Sequence, residues 1–405
     1  AVPTSTDHQM TTSLTDTLRS VDYTTSWACL TLPNRQWNLY EGAEGSLRRE
    51  NALELVGDWV EHWAQAEATK RGLLIDGATT RLTQLRTFGS YRLGVHSPEA
   101  DIDTLCLAPR HCSRLGFFSS FPSFLKQQSQ VTAAVHAIPD AYVPVIKLEV
   151  LGVAIDLLFV TLDVASVPED INVLDTNTLT DVDEPGVRSL NGCRVAEMIL
   201  QLVPNIDQFR LTLVAVKHWA RVHHPNLFLY IHLYFIYLLY PHSLAGTLLT
   251  KFFRVYHQWI WPNPILLNNV MDDDADQLLG LTSWNPKVYP RDRLHLMPII
   301  TPAYPAMNSS YNVMDSTLRL MQAEFRQAAT VCVDIELQEF AAVLDMWPQR
   351  TSDMDLQVHY VRRNQLPSWI VRPSTVQLGM QNGKRRTDCV TDDSTPHTHS
   401  PKRRK

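Results

Sequence analysis

Three features are scarce in this chain of 405 residues, and each scarcity argues against a class of protein. The six cysteines form no C-x-x-C pair, which argues against a zinc site or a disulfide framework and favours the cytosol or the nucleus. Basic residues do not outnumber acidic ones, because the net charge is -6. Any affinity for nucleic acid must therefore come from a local basic surface. The polar, threonine-rich start lacks the apolar core of a signal peptide.

Long hydrophobic runs are also scarce, and the longest is "LFLYIHLYFIYLLY" at 227–240. It is short for a bilayer crossing and it contains His232, whereas a membrane helix needs about 20 apolar residues. The alternatives are a buried helix and a membrane segment. The sequence favours the buried helix, and no membrane partner is expected.

Hydrophobic spacing predicts an α/β part followed by a helical part. Apolar residues spaced as on one helix face occur in "ENALELVGDWVEHWA", which predicts an amphipathic helix. Strands are predicted in "RLTQLRTF", "ADIDTLCLA", "YVPVIKLEV" and "VAIDLLFV", with a helix at 117–128 between them. This mixture at about 80–160 suggests an α/β sheet. After Pro168 the patterns are helical, including one at 316–329, and 260–315 is expected to be ordered loop.

Three aspartates carry the chemical signal. Asp101 and Asp103 share one face of their predicted strand, because alternate side chains of a strand point the same way. Asp156 lies among apolar residues in "GVAIDLLFV", so its charge needs compensation. If the strands are neighbours, the three carboxylates converge, and oxygen ligands favour Mg²⁺ or Mn²⁺. Two such ions about 4 Å apart are the usual apparatus for displacement at phosphorus.

Gly89 and Ser90 precede these aspartates and suit a phosphate, since glycine permits close backbone approach and serine supplies a hydroxyl. Taken alone, the D-x-D pattern would fit a solvated turn or a calcium loop. In combination with the Gly-Ser turn and a third aspartate on a buried strand, it favours a nucleotidyltransferase.

The stretch "TFGSYRLGVHSPEADIDTLCLAPRH" closely resembles the catalytic signature of eukaryotic nuclear poly(A) polymerases. The resemblance spans roughly residues 45–330 and continues through "RSLNGCRVAEMILQLVPNIDQFRLTLVAVKHWA" and "WNPKVYPRDRLHLMPIITPAYPAMNSSYNV". It implies an α/β plus α architecture: a polymerase-beta-like nucleotidyltransferase palm, a helical middle domain and an RRM-like C-terminal domain. The implied ranges are an N-terminal segment packing partly on the middle domain (1–45), the catalytic domain (46–165), the middle domain (166–330), a truncated RRM-like remnant (331–373) and a disordered basic tail (374–405).

The resemblance also implies a role for each matching residue. Two Mg²⁺ or Mn²⁺ ions would be held by Asp101, Asp103 and Asp156. The ATP site would be lined by Phe88, Gly89, Ser90 and Ser97, with Asn191 in the nucleotide pocket and Lys217 at the triphosphate. Val143 and Lys147 would lie on the RNA side. The partners would be ATP, the RNA 3′ end and the mRNA cleavage and polyadenylation machinery, with the protein acting as a monomer.

Simpler interpretations remain open for four of these residues. Lys217 would fit an ordinary solvated helix lysine, and Asn191 would fit a helix cap. Phe88 would fit a core residue, and Lys147 alternates with apolar neighbours, so it would fit a solvent-facing position.

Two departures from the family pattern predict impaired activity. No glycine occurs between Gly192 and Gly246, whereas the family has a Gly-Gly turn there that helps to hold ATP, and most of the RNA-binding domain is missing after "AEFRQAAT". True divergence and an error in a predicted gene model both account for these gaps. The leading function is template-independent polyadenylation. The alternatives are another RNA-tailing nucleotidyltransferase and a non-catalytic paralogue that binds RNA or processing factors.

Two basic clusters suggest nuclear localisation. "GKRR" at 383–386 and "PKRRK" at 401–405 resemble a bipartite import signal. A generic basic tail that touches phosphates is the alternative.

Overall fold

The computed structural model describes residues 3–19, 39–73, 81–223, 229–267 and 280–345. Within these ranges the first half holds a five-stranded sheet and the second half is mainly helical. The main strands are β1 (Gln84–Thr87), β2 (Ile102–Ala108), β3 (His136–Ile138), β4 (Val145–Val150) and β5 (Val153–Thr161). The helices are α1 (Ser5–Arg19), α2 (Ala43–Lys70), α3 (Gly89–Arg92), α4 (Arg114–Ser119), α5 (Phe121–Leu125), α6 (Glu184–Leu202), α7 (Ile206–His223), α8 (Leu229–Leu239), α9 (Ala245–Gln258) and α10 (Asp315–Asp345).

The sheet has the strand order β1-β2-β5-β4-β3. Strands β2 and β5 are parallel neighbours, and the other adjacent pairs are antiparallel. The register places Asp103 directly opposite Asp156. The predicted α/β sheet is therefore confirmed, and the two strands that carry the aspartates lie side by side.

The two faces of the sheet are covered by different helices. Along β5, Ile155, Leu157 and Phe159 belong to one buried cluster with residues of α2, α4 and α5. The intervening residues Leu158 and Val160 belong to another, with residues of α6. Because side chains alternate along a strand, Asp156 lies on the α6 side of the sheet. The same alternation along β2 puts Asp103 on that side too.

A large aromatic core holds the second half together. Trp219 of α7 stacks on Phe325 of α10 at 5.3 Å between ring centroids and meets Phe253 of α9 edge-on at 5.0 Å. The N-terminal helix α1 packs on α9, where the Gly246 amide donates to Thr11 Oγ1 at 3.1 Å and Leu14 enters the core. This core links the beginning of the chain to its middle.

The apolar run at 227–240 is a buried helix over its described part, as predicted. In α8, Ile231, Leu233, Tyr234, Ile236 and Tyr237 are all buried in the core. Within the described ranges, none of the helices combines the length and the apolar character that a bilayer crossing needs.

Several element boundaries differ from the expectation. The helix expected at 117–128 is two short helices, α4 and α5, with Pro122 in the first turn of α5, where proline is tolerated. The loop region expected at 260–315 contains a short parallel pair, Ile265–Leu266 with Ile299–Ile300. The final helix, predicted at 316–329, runs to Asp345.

The expected RRM-like remnant at 331–373 is not confirmed. Residues 331–345 continue α10 without a break from the residues before them. Residues 346–373 and the basic tail at 374–405 lie outside the described residues.

Candidate active site

A tight turn at Gly89 brings the chain against Asp103. Gly89 has φ +59, in the left-handed region that glycine adopts most readily. A Cβ added to Gly89 would lie 2.1 Å from Asp103 Oδ2. The Phe88 amide, one residue earlier, donates to the Asp103 carbonyl at 3.0 Å. The Gly-Ser turn is therefore built around the second aspartate of the D-x-D pattern, and α3 begins there.

The three aspartates occupy neighbouring positions. Asp103 is the second residue of β2 and faces Asp156 of β5 across the parallel pair. Asp101 precedes β2 rather than lying within it, which corrects the expectation that both residues of the D-x-D pattern lie on the strand. Ile102, between them, is fully buried. The start of β2 and the adjacent strand β5 thus place the acidic groups near one another.

The electrostatic environment of Asp103 reflects this crowding. Burial is the main cause that raises its pKa to about 7, and the charges of Asp101 and Asp156 raise it further. Lys147 and Lys217 act in the opposite direction. A carboxyl group held near a pKa of 7 by burial and like charge is typical of a functional site.

The donor set suits a hard divalent cation, because three carboxylates offer oxygen ligands only. Burial first, and then the like charges of Asp101 and Asp156, raise the pKa of Asp103, and a bound cation offsets both effects. Within the described ranges, however, no three His, Cys, Asp or Glu side chains are gathered closely enough to hold a metal ion as they stand. The residues fit a divalent cation by chemistry, and binding one would need their carboxylates to draw closer together.

Lys147 pairs with one of the three site carboxylates. It lies on β4 opposite Asp156, and its Nζ is 2.5 Å from Asp156 Oδ2. This hydrogen bond raises the pKa of Lys147. The lysine is half exposed, but it pairs with a site aspartate and does not merely face solvent. Val143, the other residue predicted on the RNA side, packs partly buried against the cluster on the α6 side.

Phe88 and Asn191 both lie at α6. The Phe88 ring packs against the buried cluster there, and it lies so close to the backbone of Gly192 that a Cβ at that position would be 2.8 Å from a ring carbon. Asn191 lies inside α6, whose N-cap is Asp183, so the helix-cap interpretation is wrong. Asn191 Oδ1 is buried without a hydrogen-bond partner among the described residues. An unsatisfied buried oxygen is costly, and a ligand donor would satisfy it.

Lys217 of α7 reaches into the same region. Its Nζ donates to the carbonyl oxygen of Val95 at 2.9 Å. Burial, the largest influence on this group, lowers the pKa of Lys217 to about 8, although the charges of Asp103 and Asp101 favour the protonated form. This is not a solvated helix lysine. It lies in the electrostatic field of Asp103 and Asp101.

The sequence did not single out two arginines that hold the loop around Ser97. Arg49 of α2 donates to the Pro98 carbonyl at 2.8 Å, and Arg210 of α7 donates to the Leu93 carbonyl at 2.8 Å. These partners are 49 and 117 positions apart in the chain. No local pattern marks such contacts, because they arise only when distant elements pack together.

The mixed sheet, with Asp103 and Asp156 on adjacent strands and the Gly-Ser turn against Asp103, has a fold of the nucleotidyltransferase type. The model of the poly(A) polymerase nucleotidyltransferase domain matches residues 30–203, and the model of the poly(A) polymerase central domain matches residues 208–348. The chain belongs to the poly(A) polymerase family. These models divide the chain between 203 and 208, whereas the ranges implied by the resemblance place the boundary at 165–166.

Curated relatives give the same family. Nuclear poly(A) polymerase 1 of Arabidopsis thaliana is 44% identical over 308 residues, which cover 74% of this chain and 42% of the relative. A poly(A) polymerase of Dictyostelium discoideum is 40% identical over 349 residues, which cover 84% of this chain and 40% of the relative. The chain thus spans about two fifths of the length of these relatives.

Among solved structures, the Cid1 poly(U) polymerase bound to MgATP superposes with a TM-score of 0.47 at 14% identity, covering 73% of this chain and 90% of that chain. A cytoplasmic RNA terminal U-transferase superposes with a TM-score of 0.46 at 15% identity, covering 80% of this chain and 94% of that chain.

Proposed function

We propose that this chain is a template-independent poly(A) polymerase that transfers AMP from ATP to the 3′-hydroxyl of RNA. The RNA 3′-oxygen loses its proton and bonds to the α-phosphorus of ATP, the bond from that phosphorus to the β-phosphate oxygen breaks, and pyrophosphate leaves. The observation that carries the proposal is the pairing of Asp103 with Asp156 on adjacent strands beside Gly89, in a chain that belongs to the poly(A) polymerase family.

The site residues would have two roles: the aspartates would hold cations, and the other residues would orient the substrates. Asp101, Asp103 and Asp156 would hold two Mg²⁺ or Mn²⁺ ions. When bound, such ions supply activation of the attacking hydroxyl and charge stabilisation on the triphosphate. The remaining residues would orient the substrates, because catalysis of phosphoryl transfer depends mainly on positioning together with electrostatic stabilisation.

The nucleotide side of the site is proposed from the contacts around the Gly-Ser turn. Gly89 and Ser90 would let the phosphates approach the backbone, with Ser97 in the following loop and Lys217 offering a positive charge. Asn191 Oδ1 would accept a hydrogen bond from the nucleotide, and its lack of a partner in the described structure supports this. Phe88 is largely occupied by packing on α6, so its contact with the adenine would come from the ring edge left exposed.

The RNA side is proposed at Val143 and Lys147. Lys147 is half exposed and points to the same side of the sheet as the aspartates, so a phosphate of the RNA end near Asp156 would also lie near its ammonium group. The acidic chain as a whole would repel RNA, which makes such local contacts matter. We further propose that the RNA is mRNA, processed together with the cleavage and polyadenylation machinery.

The test of the proposed function is base selectivity with an RNA primer. The purified chain is supplied with one nucleoside triphosphate at a time, with Mg²⁺ or Mn²⁺, and the extended products are counted on a sequencing gel. We expect extension with ATP, at least about 10-fold faster than with UTP, CTP or GTP, and none when the cations are chelated.

Other outcomes would point to other functions. Equal or faster extension with UTP would indicate a different RNA-tailing nucleotidyltransferase. Tight primer binding without extension by any nucleotide would indicate a non-catalytic paralogue that binds RNA or processing factors.

We propose a nuclear location, supported by the basic clusters at 383–386 and 401–405 and by relatives that are named nuclear poly(A) polymerases. Both clusters lie outside the described residues. A fluorescently tagged chain truncated after Gln381 is expected to lose its concentration in nuclei, because the basic clusters are removed. A truncated chain that still concentrates there would show that these clusters are not the import signal.

A further inference from the structure

The backbone between the Gly-Ser turn and Asp101 is held by long cationic side chains. Arg210 Nε donates to the Leu93 carbonyl at 2.8 Å, and Lys217 Nζ donates to the Val95 carbonyl at 2.9 Å. Both donors belong to α7 and are seven residues apart, which is about two helical turns and therefore one helix face. This face of α7 follows the loop and supplies a charged donor to two of its carbonyls.

A third cation, from another helix, holds the far end of the loop. Arg49 of α2 is buried, and its Nη2 donates to the carbonyls of Ser97 at 3.4 Å and Pro98 at 2.8 Å. Its Nε pairs with Glu41. Hydrogen bonds from charged donors are stronger than neutral ones, so residues 93–98 are clamped by donors from both α7 and α2.

Arg210 also shapes the loop by contact. Gly94 has φ +72, and a Cβ at this position would lie 2.9 Å from Arg210 Nε and 3.0 Å from Arg210 Cζ. The guanidinium of Arg210 therefore packs directly against the backbone at Gly94 while its Nε donates to the Leu93 carbonyl. The internal bonds of the loop, from the Val95 amide to the Ser90 carbonyl and from the Gly94 amide to the Tyr91 carbonyl, both 3.0 Å, depend on the backbone keeping this shape.

The clamp connects two domains of the family. Residues 93–98 fall within the match to the nucleotidyltransferase domain, and Arg210 and Lys217 fall within the match to the central domain. At the loop's end, the Ala100 amide donates to the Ser97 carbonyl at 2.9 Å, and Asp101 follows. A shift of the loop at Leu93 would therefore reach Asp101 at one end and Gly89, against Asp103, at the other.

We infer that Arg210 is a positioning residue for AMP transfer: from the central domain, it fixes the 93–98 loop and so holds Asp101 and Gly89 in their places. This inference rests on the proposed function. Arg210 does not touch the reacting atoms in this assignment, and its effect on the reaction passes through the Leu93 carbonyl and the Gly94 backbone. Losing its hydrogen bond would leave a partly buried carbonyl without its charged donor, which is costly.

The test compares Arg210→Met with Arg210→Lys, and with Arg319→Met as a matched control. Arg319 pairs with Asp315 at 2.7 Å on the exposed surface of α10, so the control removes an ion-paired arginine away from the loop. Two quantities are measured on the full chain: amide hydrogen exchange of peptides covering 88–103 without nucleotide or cation, and kcat and KM for ATP with an RNA primer.

In Arg210→Met we expect exchange in the 88–103 peptides to rise about 5-fold or more, because the bonds of the loop amides open more often. We expect kcat to fall roughly 10-fold with KM for ATP changed less than about 2-fold, since a positioning effect acts on the transition state. Arg210→Lys should recover part of both effects, because a lysine can still donate to Leu93. Arg319→Met should change neither quantity.

Two results would overturn the inference: unchanged exchange of the loop in Arg210→Met, or raised exchange with an unchanged kcat. If Arg210→Met does not fold, Arg210→Gln decides, because it removes the positive charge but keeps a polar side chain, and normal exchange together with normal kcat in that variant would count against the role. The exchange measurement also separates this inference from the proposed function. An inactive wild-type chain contradicts the proposed function. An active wild-type chain in which Arg210→Met leaves the amide exchange of residues 88–103 unchanged contradicts only the positioning role.

Discussion

Replacing Asp101 or Asp156 by alanine is expected to lower AMP transfer by roughly 10³-fold or more while the chain stays folded. Asp156 lies opposite Asp103 on the neighbouring strand, and Asp101 acts electrostatically on the same group. Loss of either carboxylate would remove part of a shared cation site. The measurement is single-turnover incorporation of AMP into an RNA primer at saturating ATP and Mn²⁺, with circular dichroism of each variant.

The Asp101→Ala and Asp156→Ala variants should lose activity without losing thermal stability. Without added cation, the midpoint of thermal unfolding should be unchanged or higher, because Asp101 and Asp156 both raise the pKa of Asp103 and removing one like charge relieves repulsion. Asp156→Ala also leaves Lys147 without its partner, but this lysine is half exposed, so water compensates for most of the lost pair.

Asp163→Ala is the matched control for Asp156→Ala. Asp163 follows the end of β5, its side chain is 57% exposed, and it lies 3.2 Å from Arg110. The Asp163→Ala variant should retain near wild-type AMP transfer and stability, because surface ion pairs contribute little to the free energy of folding. Near-normal tailing by Asp101→Ala or Asp156→Ala would refute the assignment of these residues to a cation site.

Gly89→Ala is expected to lower AMP transfer by about 10²-fold or more and to destabilise the fold by about 2–4 kcal/mol. Two costs combine at this position. The left-handed φ of +59 is unfavourable for a residue with a side chain. In addition, the new Cβ would lie 2.1 Å from Asp103 Oδ2, so the turn or the aspartate must move.

Gly152→Ala separates the two costs. Gly152 has φ +76 in the turn between β4 and β5, and a Cβ there would meet no atom within 4 Å. It should therefore show only the backbone cost, about 1–2 kcal/mol, with transfer close to that of the wild type. Chemical denaturation and single-turnover transfer of both variants provide the comparison. Equal losses of activity in the two variants would mean that the close approach of Gly89 to Asp103 does not matter.

Much of the candidate site was predictable because strand periodicity is local information. The alternation of Asp101, Ile102 and Asp103 predicts a shared acidic side with a buried residue between them, and Ile102 is indeed fully buried. Composition and length are local information too, and they predicted the buried helix at 227–240. Such patterns depend on neighbours in the chain, whose geometry is set by the backbone alone.

Element boundaries were less predictable, because they depend on capping and on neighbouring elements. Asn191 is a good N-cap residue by type, yet α6 begins seven residues earlier, where the Asp183 side chain accepts from the Gly186 amide at 2.9 Å. Pro185 sits in its first turn, where proline is favoured. The stronger local start signal decided the boundary and left Asn191 inside the helix, with its oxygen buried.

The sequence by itself determined which side chains are acidic, which strands are apolar on one side, and that Gly89 permits a left-handed turn. Only the tertiary structure decided that β2 lies beside β5, which puts Asp103 opposite Asp156, and that Lys147 pairs with Asp156. It also decided that Arg210 and Lys217 reach carbonyls 117 and 122 positions away. Periodicity is a property of consecutive residues and can be read from the sequence. These contacts instead depend on which buried faces pack together, and that packing is determined by interactions across the whole chain.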